Sequence, residues 1–413
     1  MKIGIIGSGI SGIVAAEMLQ NHHEITLFEA AAQMGGHTHT VTINEENQSY
    51  AIDTGFIVFN LLTYPNFHKF LNRLNTSYQA SEMSFSVKSE STGLEYNGTS
   101  LNTLFAQRKN IFNLSFHKML REIIRFNEET KKYVQQRRAG LTLGQFLNQG
   151  GFSETFTTNY LYPMTAAIWS ANPQELNEFP FTFLANFFEN HKMLDWNNRP
   201  VWQVVKGGSH SYLKAFEKGF KGKIKLSCPV KSVNRVGDKV IIETEQSNEE
   251  FDEVVIATHS DQALKLLSKP TNLEKEILSS FLWQKNVATL HTDVNIMPVN
   301  KRAWASWNYF LSSKQQTQAC VTYYMNRLQS LNSKNNYFVS LNASEYIDPK
   351  KIIKSIIYHH PVYNEISFQN QYRHSEISGK NKIHYCGAYW GYGFHEDGVK
   401  SALKVVKHWG INI

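Results

Sequence analysis

The chain of 413 residues is long enough for two or three folding units, and its 42% hydrophobic and 19% charged residues exclude a disordered protein. The formal net charge is +7, but no nucleic-acid-binding module accompanies it, so we expect no nucleic-acid partner. The three cysteines lie far apart, which excludes a disulfide framework and a cysteine-rich zinc site, and we predict no metal.

The first residues are apolar, but glycines interrupt them and no small-residue cleavage site follows, so we expect no signal peptide. No apolar run reaches the roughly 20 residues that a membrane-spanning helix needs. We therefore expect a cytoplasmic protein. Basic surfaces attract anionic lipids, so a peripheral contact with the inner membrane stays open.

The N-terminal segment predicts a strand, a glycine-rich turn and a helix. Lys2–Ile6 has the composition of a buried strand, and Gly7, Gly9 and Gly12 follow it in the pattern Gly-Ser-Gly-Ile-Ser-Gly. Gly7 permits the tight turn, Gly9 lets the backbone approach a pyrophosphate, and Gly12 lets the helix pack on the sheet. The free N–H groups of the helix N-terminus favour bound phosphate. The pattern, which includes Ser11, therefore predicts a dinucleotide site.

An acidic residue, Glu29, ends the next predicted strand, which begins at Glu24. It lies about 20 residues beyond the first glycine, where a carboxylate can accept hydrogen bonds from ribose hydroxyls. An acid suits a free ribose better than a 2′-phosphate. We therefore predict that the cofactor is FAD or NAD and not NADP.

A second glycine pair, Gly35 and Gly36, follows closely and precedes His37 and Thr38. The arrangement resembles the amine oxidase and phytoene desaturase superfamily of flavoproteins, in which Gly-Gly-Arg follows the ribose acid. His37 stands where arginine is usual. The resemblance implies FAD as the cofactor, with these four residues among its contacts.

Other segments resemble the same superfamily. Val230 opens a segment similar to the strand whose valine contacts the adenine, and Thr258 ends a strand similar to the one that closes the FAD domain. Gly387 opens a turn before a final helix, whose N-terminus would stabilise negative charge on the reduced flavin. The contacts that the resemblance implies at this helix are Glu396, Asp397 and Gly398.

Several longer segments resemble one bacterial subfamily of FAD-binding, amine-oxidase-like proteins. That subfamily often neighbours methyltransferases similar to cyclopropane-fatty-acyl-phospholipid synthase, and one branch is associated with desaturating methylated acyl chains on the route to furan fatty acids. The resemblance implies a lipid acyl-chain substrate and a methyltransferase as functional partner. The segments are residues 53–60, 199–209, 303–309, 322–329 and 386–398.

The resemblance also implies an α/β fold, in which a Rossmann-type FAD-binding domain is interleaved with an α+β substrate domain. The FAD-binding domain would comprise residues 1–75, 200–275 and 380–413, and the substrate domain residues 76–199 and 276–379. Apolar spacing predicts a helix over 115–137 and strands over 285–294 and 318–325. The helix residues expected to face inward are Leu120, Ile123, Ile124 and Phe126.

Flavin chemistry needs a well-positioned substrate in a dry site more than it needs a catalytic triad. Tyr389 and Trp390 are predicted either to pack under the flavin or to form an aromatic wall beside the substrate. His395 or Glu396 could accept a proton, and helix capping by Glu396 or Asp397 is the alternative.

A phenylalanine-rich segment predicts either an apolar helix face or the lining of an acyl-chain tunnel or a membrane-facing lip. Its members are Phe179, Phe181, Phe183, Phe187 and Phe188.

Amine oxidases of the superfamily commonly carry a lysine near the flavin in a Lys-Val-x-Leu strand. The most similar segment here begins with Asn286, and Lys285 lies one residue too early. The resemblance therefore favours an FAD-dependent desaturase or dehydrogenase of acyl chains. An amine oxidase, a double-bond isomerase without net redox change and a non-catalytic flavin-binding protein stay open.

Overall fold

The computed structural model describes residues 1–45, 48–195, 200–314 and 317–413. Arg199, the first residue of the 199–209 segment, lies outside them. The strands, in chain order, are β1 (Lys2–Ile6), β2 (Glu24–Phe28), β3 (Thr40–Glu45), β4 (Gln48–Asp53), β5 (Val58–Asn60), β6 (Tyr78–Ser81), β7 (Phe85–Ser89), β8 (Glu95–Asn97), β9 (Trp202–Val205), β10 (Lys223–Lys225), β11 (Val230–Val236), β12 (Lys239–Thr244), β13 (Asn248–Phe251), β14 (Glu253–Ile256), β15 (Leu282–His291), β16 (Trp307–Leu311), β17 (Val321–Tyr324), β18 (Phe338–Leu341), β19 (Ile352–Val362) and β20 (Ile383–Tyr385).

The helices, in chain order, are α1 (Ile10–Leu19), α2 (Pro65–Arg73), α3 (Leu101–Leu104), α4 (Leu114–Gln135), α5 (Leu143–Gly150), α6 (Glu154–Phe156), α7 (Tyr162–Trp169), α8 (Phe181–Asn190), α9 (His210–Gly219), α10 (Ser260–Leu266), α11 (Asn272–Ser279), α12 (Met325–Leu328), α13 (Glu365–Gln371), α14 (His374–Ile377) and α15 (His395–Val406). Short 3-10 turns lie at Arg108–Phe112, Leu176–Glu178, Val294–Ile296, Lys301–Ala303, Ser344–Tyr346, Pro349–Lys351, Ala388–Trp390 and Lys407–Trp409, and a π-helical turn lies at Thr157–Leu161.

A parallel sheet of five strands, in the order β10-β2-β1-β14-β20, forms the centre of the nucleotide-binding half. The apolar run of β1 is suited to this position because a central parallel strand is covered on both faces. On one face α1 and α15 pack together, and on the other lie the antiparallel strands β11–β13. The arrangement confirms the predicted α/β fold with a Rossmann-type sheet.

The register of this sheet places the functional turns at one edge. β1 and β2 pair from Lys2 opposite Glu24 to Ile6 opposite Phe28, so both strands end together. β14 pairs in the same direction, with Ile256 opposite Ile6. The residues that follow these three strands therefore meet at the carboxyl edge of the sheet.

The other half contains a seven-stranded mixed sheet in the order β19-β15-β18-β17-β16-β7-β8. Helices α4 to α8 form a layer with an aromatic core beside it. The predicted helix over 115–137 corresponds to α4. The predicted strands over 285–294 and 318–325 correspond to β15 and β17. Phe126 and Ile123 are buried as expected, but the expectation for Ile124 is wrong, because its side chain is 44% exposed.

The domain boundaries stay a prediction. The parallel sheet does collect strands from the N-terminus, from residues 223–256 and from residues 383–385, which are three separate parts of the chain. Among the described residues, none of the helices is long and apolar enough to cross a membrane.

Candidate cofactor and substrate site

The turn after β1 can be built only with glycine at two of its three glycine positions. Gly7 has φ +98°, and a Cβ on Gly12 would lie 1.9 Å from the carbonyl oxygen of Gly7. Gly9 is different, because a Cβ there would meet no protein atom within 4 Å. The chain therefore leaves open space in front of Gly9, at the position where the sequence predicts a pyrophosphate.

The helix that begins behind this space has no negative group in its first turn that would neutralise the positive end of its dipole. Among the described residues, α1 has no side-chain cap at Gly9, and its first turn contains no acid. Its free N–H groups and the positive end of its dipole therefore suit a phosphate anion. The Ser11 hydroxyl, predicted as a contact, donates instead to the carbonyl of Gly398 at 3.0 Å and joins α1 to α15.

The predicted ribose acid is fixed beside the same turn. The Glu29 carboxylate accepts hydrogen bonds from the backbone N–H of Ser8 at 2.9 Å and of Ala31 at 2.9 Å, and from the Ser8 hydroxyl at 2.5 Å. The N–H of Cys228 donates to the carbonyl of Glu29, so Val230 begins β11 just beyond the same place. Val230 and Glu29, which the sequence places far apart, therefore flank one end of the site.

The second glycine pair closes directly against the first turn. Gly35 and Gly36 have φ +126° and +58°, and the Gly35 N–H donates to the Ser8 carbonyl at 3.1 Å. A Cβ on Gly36 would lie 3.2 Å from the Cα of Gly9. On the other side Ala257 donates to the carbonyl of Ile6, so Thr258 lies beside the turn as well. The turn at Gly35 and Gly36 is an addition to the strand, turn, helix and strand that form the first part of the site.

A cluster of aromatic rings continues from His37. Its ring lies 5.9 Å from that of His259, 5.4 Å from that of His360 and 5.1 Å from the stacked ring of Tyr358. Burial lowers the pKa of His37 to about 4 and the pKa values of His259 and His360 to about 3. The three imidazoles are therefore uncharged at neutral pH.

One atom of this cluster lacks a partner. The Nε2 of His37 is buried and has no hydrogen-bond partner among the described residues. Buried polar atoms are rarely left unpaired in folded proteins, so an unpaired nitrogen beside two glycine turns is evidence for a polar ligand. This observation, the open space at Gly9 and the uncompensated helix N-terminus together fit a dinucleotide cofactor.

Sequence reasoning missed His259, His360 and Tyr358, which complete the cluster. His259 follows Thr258 directly, so the position of β14 could have indicated it. Tyr358 and His360 are alternate residues of β19 and lie on one face of that strand, and a period-two pattern of polar and aromatic residues was the available signal.

Thr38 and His395 were predicted separately, and the structure brings them together. The His395 Nε2 lies 3.0 Å from the Thr38 Oγ1, which is also hydrogen-bonded to the hydroxyl of Tyr212. The imidazole stacks on Phe56 with ring centroids 3.5 Å apart. Burial lowers the pKa of His395 well below its ordinary value. The ring is neutral, as a proton acceptor must be, and its catalytic role stays a prediction.

Glu396 makes structural hydrogen bonds, and its role as a proton acceptor stays a prediction. Its carboxylate is buried and accepts hydrogen bonds from the backbone N–H groups of Asn66 and Phe67, at 3.1 and 2.9 Å, and from the Asn66 side chain at 2.6 Å. These groups lie at the N-terminus of α2. The capping alternative is therefore the one that the geometry favours, although the capped helix is a neighbouring one.

The next two residues shape the start of α15. Asp397 accepts a hydrogen bond from the Phe394 N–H at 3.1 Å, and burial raises the pKa of its carboxyl to about 6. A Cβ on Gly398 would lie 2.7 Å from the Ile10 side chain, so glycine is needed where α15 crosses α1. Gly387 is similarly crowded, since a Cβ there would lie 2.4 Å from the ring of Tyr389.

Tyr389 and Trp390 belong to a packed core and do not form an aromatic wall. Tyr389 is buried, and both rings contact Phe281, with centroids 4.9 and 5.2 Å away. This core lies between the parallel sheet and β11–β13. Their packing under the flavin stays a prediction.

The phenylalanine-rich segment around α8 is also core. Its rings pack against other aromatic residues of the helical layer, such as Trp169 and Phe146. The prediction of a membrane-facing lip is wrong because all five side chains are buried. The segment forms an apolar helix face, and the lining of an acyl-chain tunnel stays a prediction.

One group of possible metal ligands lies at the opposite edge of the parallel sheet. The ligand atoms of Glu253, His384 and His408 lie within 4.8 Å of one another, and Glu253 is hydrogen-bonded to His384 at 2.6 Å. The expectation of no metal stays a prediction.

Comparison with known proteins agrees with this geometry. The family model of flavin-containing amine oxidoreductases matches residues 10–295, which is more than half of the chain. Similar solved structures include a CLA-producing fatty acid isomerase from P. acnes, at 14% identity and a TM-score of 0.71, with 98% of each chain covered.

Two amine-oxidising enzymes have similar structures. They are cyclohexylamine oxidase from Brevibacterium oxydans, at 13% identity and a TM-score of 0.70, and wild-type putrescine oxidase bound to putrescine, at 14% identity and a TM-score of 0.67; each comparison covers 99% of both chains. At these identities the likeness establishes the fold. The chain belongs to the flavin-containing amine oxidoreductase family, and its cofactor is FAD.

Proposed function

We propose that the protein is an FAD-dependent oxidoreductase that dehydrogenates fatty acyl chains of membrane phospholipids, with methylated chains as the preferred class. The sequence resemblance to a subfamily associated with methylated acyl lipids supports this substrate class. A methyltransferase that supplies the methylated chain is the proposed functional partner. The site observation that carries the proposal is the uncharged environment of Asn286.

Asn286 is buried in β15, while the neighbouring Lys285 is exposed. The Asn286 carbonyl accepts hydrogen bonds from Gln284 and Asn342, at 3.1 and 2.8 Å, and its amide lies 3.1 Å from the Nδ1 of His360. The amide is thus held in a network of neutral groups. The lysine that amine oxidases of the superfamily commonly carry has no equivalent here.

The groups that act on His360 include no counter-ion for a charged amine. No carboxylate is among the groups whose charge acts on His360, and His360 itself is neutral at neutral pH. An alkylammonium substrate would lose its hydration here without gaining a counter-ion, which costs several kcal/mol in a poorly solvated site. An uncharged hydrocarbon chain has no charge to desolvate and therefore avoids this cost.

Bound FAD supplies a two-electron hydride acceptor. The residues of the chain would hold and orient this cofactor. Gly9 and α1 would hold the diphosphate, Glu29 would hold the ribose, and the His37 cluster would face the cofactor. Desaturation also requires that a proton leave the adjoining carbon. The neutral His395, held by Thr38, is the proposed acceptor.

A double-bond isomerase is the second candidate, and the structural similarity to the P. acnes fatty acid isomerase favours it. The two reactions share the acyl substrate and differ in mass. Desaturation removes two hydrogens from the product, whereas isomerisation removes none.

The test mixes holoprotein anaerobically with phospholipids that carry saturated, methylated or unsaturated chains. Desaturation bleaches the flavin in one turnover and yields a product that is lighter by two hydrogens. The control is the flavin-free variant Gly9→Asp, which should yield no product of changed mass from any of the lipids. Bleaching by simple amines, followed by release of peroxide once air is admitted, and no bleaching by lipids would establish an amine oxidase and refute the proposal.

A further inference from the structure

The surface around α3 and the start of α4 exposes large apolar side chains. Leu101, Phe112, Leu114 and Val299 are 76%, 87%, 83% and 86% exposed. They are the four most exposed large apolar residues in the described part of the chain, and Ile111, which precedes Phe112, is also exposed. We call these five residues the apolar patch. Exposed apolar side chains on segments that pack against each other mark an interaction site.

The folded structure holds the patch in place. Asn113, between Phe112 and Leu114, caps α4 by accepting a hydrogen bond from the Phe116 N–H. The turn at Lys301–Ala303, which follows Val299, packs against α3. The Asn300 side chain donates to the Ala106 carbonyl at 2.6 Å and fixes the two segments to each other. The exposure is therefore a property of ordered backbone.

Phe112 does not stabilise the start of α4, which it precedes. An apolar residue at this position commonly packs on the fourth helical residue and stabilises the helix start. Here that residue is His117, whose ring is hydrogen-bonded to the Ile111 carbonyl at 2.8 Å. Phe112 points away into solvent, so its apolar ring has no structural use within the described chain.

Exposed positive charge accompanies the patch, and the nearby carboxylate of Glu95 is buried and bonded to the backbone N–H groups of Val299 and Asn300. Residues 96–121 and 294–314 contain no aspartate or glutamate. Among the described ion pairs, none involves the exposed cations of these two segments. Those cations are Arg108, Lys109, Lys118, Arg121, Lys301, Arg302 and Lys314.

We propose that the apolar patch docks the protein on an anionic lipid bilayer, with Phe112 and Leu114 inserted below the headgroups and the cations against the lipid phosphates. Protruding apolar side chains flanked by exposed cations match the apolar interior and the anionic headgroups of such a membrane. A nucleic acid would match the cations but not the protruding Phe112 and Leu114. The docking depends on this surface alone, so it goes beyond the proposed function and can fail separately from it.

The test is flotation of holoprotein with vesicles of phosphatidylcholine alone and of phosphatidylcholine mixed equally with phosphatidylglycerol. Wild-type protein binds the mixed vesicles, and added salt weakens the binding. The double variant Phe112→Ser/Leu114→Ser lowers the partition coefficient by about tenfold or more. Arg108→Gln/Lys109→Gln lowers it by about tenfold on mixed vesicles, with little effect on neutral ones.

The matched control is Ile366→Ser/Tyr372→Ser, which removes two exposed apolar residues near α13. It should bind vesicles as the wild type does, and all variants should keep the wild-type flavin content and unfolding temperature. Equal loss of binding in the control, or no binding by the wild type, overturns the proposal. So does a wild-type dimer in sedimentation that Phe112→Ser/Leu114→Ser converts to monomer while neither protein floats.

Discussion

The carboxylate of Glu396 accepts a 2.9 Å hydrogen bond from the backbone N–H of Phe67 and thereby joins the C-terminal helix to the start of α2. Glu396→Gln keeps the size but replaces a charged acceptor by a neutral one. We expect a loss of about 1–2 kcal/mol in the free energy of unfolding. The rate of flavin reduction by substrate should change by less than about twofold.

Urea unfolding and anaerobic stopped-flow absorbance measure these two quantities, with the exposed Glu217→Gln as control. Unchanged stability with abolished flavin reduction would instead make Glu396 a catalytic base.

Gly9 and Gly12 should respond differently to substitution. A Cβ at Gly9 meets no protein atom within 4 Å, whereas one at Gly12 lies 1.9 Å from the Gly7 carbonyl oxygen. Gly9→Asp should therefore fold and lack flavin, because its side chain fills the space for the phosphates. Gly12→Val should fold poorly and lack flavin. Circular dichroism and the visible flavin spectrum distinguish the cases, and yellow Gly9→Asp protein would contradict the placement of the diphosphate.

Glu29 should control affinity for the cofactor. Glu29→Gln removes the charge that strengthens hydrogen bonds to the ribose, so the dissociation constant of FAD should rise by about tenfold or more. Quenching of flavin fluorescence during titration of apoprotein gives this constant. Glu24→Gln, at the exposed start of β2, serves as the control. Equal affinities for wild type and Glu29→Gln would place the ribose elsewhere.

Stability should fall as the pH is lowered from 7 to 5. Burial lowers the pKa values of His291 and His374 to about 4, from 6.5 in the unfolded chain. Below pH 6.5 the unfolded state therefore binds protons that the folded state excludes, and each such histidine costs about 1.4 kcal/mol per pH unit until about pH 4. Burial raises the pKa values of Asp53 and Asp397 to about 6, so these carboxyls act in the opposite direction below that pH.

The net change is a loss of stability, because further histidines also have lowered pKa values and together outnumber those two acids. His191 and His37 are examples. Thermal unfolding at several pH values measures it. His291→Gln should flatten the slope, since it removes one titrating group, and the exposed His22→Gln should not. A slope of opposite sign would show that the carboxyls dominate.

The dinucleotide turn was predictable because its constraints are local. The close approach of Gly12 to Gly7, the strand of β-forming residues and the acid at the end of β2 all lie within thirty residues. The parallel register of β1 and β2 then brings Glu29 to the turn without help from other segments. Helix α4 was predictable for a similar reason, because its apolar spacing is continuous.

The residues whose roles changed depend on distant segments. Glu396 finds its donors about 330 residues earlier in the chain, and Ile124 faces solvent although its neighbour Ile123 is buried. The neutral histidine cluster combines His37, His259 and His360 from three separate parts of the chain. The sequence by itself determined the glycine turn at which we predict the diphosphate, because steric limits at glycine and strand periodicity act between near neighbours. Only the tertiary structure decided which side chains are buried, capped or left neutral around it, because burial and hydrogen bonding depend on segments that the folded chain brings together from far apart.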